Sequence, residues 1–172
     1  MFASSTNEVW MFTEWGTLLI EVRKMGYYDT IDFENTDFRK EPHKYKVGRG
    51  EQGVLMVEPY KAEILPNWRF KTPDIAKESA DTIYEQFCTY KKQDDFVGMD
   101  MARKFLQMGY TRARRYANYP GGKKYNKDGD INERDIDETK ARSAEIFEEK
   151  WILVREDEEY LEKKKAHQKK FG

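Results

Sequence analysis

From Thr72 to Lys92 the chain can form little other than an amphipathic helix. Thr72 suits the N-cap, Pro73 the first helical position, and Asp74 the positive end of the helix dipole. Ile75, Ser79, Ile83, Phe87 and Tyr90 then recur at spacings of four and three, which puts them on one buried face. Lys91 and Lys92 suit the C-terminal end. A second helix is predicted from about Val97 to Met108, with Met101, Phe105 and Met108 on one stripe and Ala102 and Leu106 beside it. Gly109 reads as the residue that closes it. Tyr110 to Tyr119 reads as another helix, which Pro120-Gly121-Gly122 ends. After a polar loop at Asn126–Asp137, the chain is predicted helical from Glu138 to about Lys170, with Asp157 able to restart the helix as an N-cap.

The front of the chain reads differently. Tyr45-Lys46-Val47 and Val54-Leu55-Met56-Val57 flank a segment with three glycines, Gly48-Arg49-Gly50-Glu51-Gln52-Gly53, which predicts a β-hairpin. The fold expected is therefore α+β: a mostly helical single domain over residues 25–172 with a small hairpin in its N-terminal third. Residues 1–24 are expected to form an N-terminal extension. Within it, Val9–Val22 reads as a short helix or strand, and Glu8, Glu14 and the lack of a basic lead argue against a signal peptide.

Core composition bears on this because apolar residues reach only 38% while charged residues reach 37%. Aromatic residues, at 15%, must fill much of the core that the aliphatic residues leave. No run approaches the roughly 20 apolar residues of a spanning helix. The single cysteine, Cys88, excludes an internal disulfide framework and reads as a buried structural thiol. With only His43 and His167 as histidines, no metal site and no cofactor are expected.

The net charge of −1 hides a strong asymmetry. Residues 1–100 carry 13 basic and 18 acidic groups, and residues 126–172 carry 11 and 14. Between them, Met101–Tyr125 carries seven basic groups and no acidic one. Arg103, Lys104, Arg112, Arg114, Arg115, Lys123 and Lys124 alternate there with rings that include Phe105, Tyr116 and Tyr119. Long cations without nearby carboxylates suit phosphate, and exposed rings beside them can stack on unpaired bases. The opposing reading is that these cations pair internally with the acidic remainder of the chain. Asp100 is one carboxylate placed to pair with Arg103 or Lys104.

Two further motifs bear on chemistry. The glycine segment can form an anion nest to which Arg49 adds charge, but it lacks the helix that a dinucleotide fingerprint requires, and a bulged turn accounts for it as well. Asn126–Asn132 resembles part of a calcium loop. Lys124 stands where the first acidic ligand belongs, so a surface turn is expected.

Val47–Leu55, Val57-Glu58-Pro59-Tyr60-Lys61, Arg69-Phe70-Lys71-Thr72-Pro73 and the long run Asp95–Tyr116 together resemble the family known as domain of unknown function 4385. The likeness extends from about Tyr28 to Gly172. It implies a soluble, cytoplasmic, single-domain protein of a kind found in bacteria, phages and some eukaryotes, and it implies no activity. The function expected from the residues themselves is a binding module that contacts single-stranded nucleic acid or another phosphate-bearing partner through the basic-aromatic segment. The alternatives are an enzyme acting on a small phosphorylated substrate and a protein-interaction adaptor.

Overall fold

The computed structural model describes residues 27–172 together with two short strands, β1 (Met11–Thr13) and β2 (Gly16–Leu18). The chain divides into two compact units, Met1–Ile31 and Asp32–Gly172. In the first, β1 and β2 pair antiparallel with Met11 opposite Leu18, and α1 (Tyr27–Thr30) is a single turn. The rest of Val9–Val22 lies outside the described residues.

The second unit is helical. It contains α2 (Tyr60–Ile64), α3 (Pro73–Lys92), α4 (Phe96–Asn118), α5 (Glu138–Arg155) and α6 (Glu158–Phe171). The α+β expectation is overturned. No residue of Asp32–Gly172 belongs to a strand, and an isolated bridge between Tyr125 and Ile131 is the nearest approach to one.

The expected hairpin at Tyr45–Val57 is replaced by successive turns, in which the amides of Gln52, Val54 and Met56 bond to the carbonyls of Arg49, Glu51 and Gly53. Gly50 and Gly53 have φ of 54° and 82°, left-handed values that curl the segment and that glycine adopts freely. Two of its carbonyls, Gly50 O and Gln52 O, accept from Arg103 and Lys104 on α4 instead of from a partner strand.

The helix ends follow their caps. Thr72 accepts from the Ile75 amide, Asp95 from Gly98, Asp137 from Lys140 and Asp157 from Tyr160. Asp157 therefore does separate α5 from α6, as its position suggested. Gly109 does not end a helix, because α4 runs through it without interruption. A Cβ at Gly109 would lie 2.3 Å from the Phe147 ring, so the glycine is there to let α5 approach. Gly98 serves α3 in the same way, with Tyr90 only 2.5 Å from where its Cβ would be.

α4 is the axis of this unit. Every residue from Phe96 to Leu106 is buried, so its first half is covered on all sides by α3, α5, α6 and the 45–57 segment. Beyond Met108 only Gly109, Ala113 and Ala117 are buried, and the remaining faces open to solvent. One rod thus carries a core half and a surface half.

Candidate functional site: a cationic aromatic cleft on α4

Burial of Phe96–Leu106 encloses three charged residues, Asp100, Arg103 and Lys104, and a buried charge must find partners. Asp100 is the hub. Its Oδ1 accepts from Tyr160 Oη at 2.7 Å and Arg103 Nε at 2.8 Å. Its Oδ2 accepts from the Tyr45 hydroxyl, with Lys104 Nζ 3.8 Å away. Arg103 continues to Gln107 Oε1 at 2.9 Å and to the Gly50 carbonyl at 3.2 Å, while Lys104 donates to the Gln52 carbonyl at 2.6 Å. The group fastens the glycine segment and α6 to α4. Arg103 and Lys104, two of the predicted ligand cations, are internal partners, as the opposing reading held for the whole run. Asp100 pairs with both, from the second turn of α4.

Burial opposes ionisation of Asp100, but the Arg103 guanidinium, Lys104 and the Tyr45 hydroxyl outweigh it and hold the carboxyl at about 2. Burial likewise pushes the Lys104 ammonium down to about 8, against the attraction of Asp100. Burial first, then the Asp100 charge, drive the Tyr160 phenol well above its usual range. The signs give a pH prediction. Asp100 stabilises the fold above about pH 4, and its contribution is lost as pH falls toward 2. Lys104 has the same sign in a higher window: its folded value also lies below its unfolded one, so stability rises as pH climbs from about 8 toward 10.5 and the buried ammonium loses its proton. Tyr160 keeps its proton in the fold, so its contribution fades above about pH 10. Urea midpoints measured across this range should fall steeply below pH 4, and Asp100→Asn should flatten that limb.

The other predicted cations are placed elsewhere. Arg112 and Arg115 are exposed, and among the described residues neither makes an ion pair. Arg114 turns toward α5, where its guanidinium lies 5.9 Å from the Tyr110 ring, which stacks on Trp151. Lys123 is exposed, and Lys124 stands 5.4 Å from the Tyr125 ring in the turn after Pro120–Gly122. Arg49 is exposed on the glycine segment. Tyr119, a predicted ring contact, is buried and closes α4 by donating its amide to Arg115 O.

Tyr116 is 38% exposed and opens onto a cleft of about 560 Å³. Its floor is Phe70, Ile75, Ala113 and Tyr116, and its rim is Arg69, Lys71 and Lys140. Among the described residues, no carboxylate lines it. Arg69 and Lys71 make no ion pair among the described residues, and Lys140 stands 3.7 Å from Asp137. At about 100° per residue along α4, Tyr116 lies roughly 40° from Arg112, and Arg115 lies roughly 60° beyond on the far side. Arg112 therefore borders the wall that Tyr116 forms, and Arg115 stands about 100° round the helix from Tyr116, on the adjoining exposed face. Gly122, with φ of 69°, backs the Tyr116 ring, 3.1 Å from where its Cβ would be.

Tyr116, Arg112 and Arg115 are among the expected contacts, whereas the opposite wall of the cleft, Arg69, Phe70 and Lys71, is not. The available signal was the cation–aromatic–cation triplet Arg69-Phe70-Lys71 immediately before the α3 cap. A second cavity of about 600 Å³ lies beside Arg39, Glu63 and Tyr90. Its charges are already matched, because Arg39 grips Glu63 through two bonds of 2.7 and 2.8 Å. Among the described residues, no three His, Cys, Asp or Glu side chains gather as metal ligands, and no helix is long and apolar enough to cross a membrane.

Residues 28–170 match the family described as Domain of unknown function (DUF4385), and the chain belongs to it. No curated protein and no solved structure matches the chain.

Proposed function

We propose that this protein is a binding module for nucleic acid or another phosphate-bearing partner, with Arg112, Arg115 and the cleft rim as its contact surface. One observation carries the reading: Arg69 and Lys71 on the cleft rim, and Arg112 and Arg115 further round α4, stand exposed with no ion pair among the described residues, and no described carboxylate lines the aromatic cleft. In a chain of net charge −1, most cations can find a carboxylate. Cations that have none keep their field for a partner, and release of counterions from phosphate supplies affinity.

The test is fluorescence anisotropy with a labelled single-stranded oligonucleotide over a salt series. Affinity should fall linearly on a log–log plot, and Arg112→Ala with Arg115→Ala should lower the slope by roughly 0.7 for each lost contact. Both side chains are exposed and make no ion pair among the described residues, so the double variant should keep its stability within about 0.5 kcal/mol per site. A wild-type protein that binds no oligonucleotide or inorganic polyphosphate at low salt overturns the proposal.

A further inference from the structure

Resting on that reading, we infer that the cleft holds one unpaired nucleobase, so that the partner is a single strand of nucleic acid rather than a duplex or a free polyphosphate. A site for phosphate alone needs cations and amide donors. It has no use for an apolar floor, and Phe70, Ile75, Ala113 and Tyr116 supply one. The volume of about 560 Å³ falls within the roughly 300–1,000 Å³ range of small-molecule pockets and exceeds what a lone phosphate requires.

The occupant is defined by two demands made together. It must offer a flat apolar face to the floor, and it must carry negative charge where it meets Arg69, Lys71 and Lys140. A base on a sugar–phosphate backbone meets both, with the ring inward and phosphates along the rim. A duplex cannot, because its bases stay stacked inside the helix until they are flipped out.

The ring geometry narrows the mode of contact. Phe70 and Tyr116 have centroids 5.9 Å apart and planes inclined at 43°, so they already touch and leave no slot for a base between them. The base stacks on one open face, as on the aromatic platforms of sequence-tolerant single-strand binders. Tyr116 is the platform, since its ring is exposed while Gly122 backs it. Arg112, roughly 40° around α4 from that ring, meets the next phosphate along the strand. Stacking on a single face reads a π surface and not an edge, so preference among the four bases should be slight.

Three probes of equal length distinguish the possibilities: a single-stranded oligonucleotide, an abasic strand with the same phosphates, and a blunt duplex. The abasic strand should bind roughly 5- to 150-fold more weakly than the normal strand, the value of one base–aromatic stack, with the same salt slope. Tyr116→Leu keeps apolar bulk and removes the π face. It should weaken the normal strand by a similar factor, leave the abasic strand unaffected, and leave the slope unchanged. Tyr116→Phe should restore binding. Equal affinity for normal and abasic strands overturns the base site while the phosphate-contact reading survives. Tighter binding of the duplex than of the single strand also overturns it. Failure of every probe to bind overturns the reading beneath it as well.

Discussion

Replacing Asp100 by Ala should destabilise the protein by about 3–5 kcal/mol, the usual effect of removing one member of a buried ion group. The carboxylate accepts from Tyr45, Tyr160 and Arg103 and faces Lys104, and all four are buried. The variant leaves two buried cations and two buried hydroxyls without that acceptor. Removing a hydroxyl instead, in Tyr160→Phe, should cost less, about 1.5–3 kcal/mol, because it leaves the charges paired. Urea denaturation followed by circular dichroism gives both values. A loss below about 1 kcal/mol in Asp100→Ala would mean that the group is not what fastens Tyr45, the glycine segment and α6 to α4.

Phe105→Ala should be comparably severe, at about 3–5 kcal/mol for a fully buried aromatic. The ring lies among α4's buried neighbours, 6.5 Å from Trp68, whose indole nitrogen donates to the Phe105 carbonyl at 3.1 Å. The pair ties the segment that precedes α3 onto α4, so the cavity should also loosen the wall that bears Arg69 and Phe70. Thermal unfolding should show the loss directly. Comparison with the Arg112 and Arg115 variants separates residues that build the cleft from residues that contact a partner. If Phe105→Ala left stability intact, the core half of α4 would be wrongly assigned.

The contrast between these residues explains what the sequence could reveal. Thr72-Pro73-Asp74 and the spacing of four and three after it depend only on near neighbours, and α3 forms where they indicate. Asp157 acts on its own next turn, and α6 begins there. Gly109 misleads because its reason lies on another helix: Phe147 needs the space, and nothing within four residues records that. The glycine segment misleads in the same way, since the acceptors that hold it curled are satisfied by Arg103 and Lys104, about 50 positions further along. The acid-free run was visible as charge, but its seven cations divide among buried, stacked and free positions according to helical phase and to what packs on each side. Tyr116 with Arg112 could be read from one helix. Their partners Arg69, Lys71 and Lys140 come from two other stretches, and only the fold brings them together.

That α4 changes from an enclosed rod to an open one near Met108 matters for how such a protein can diversify. The enclosed end is committed, because each side chain there answers to several others. The open end has few such obligations, and it is held rigidly in register by the same backbone. New preferences for ligand can therefore arise by substitution at Arg112, Arg115 and Tyr116 without disturbing the residues that make the chain fold.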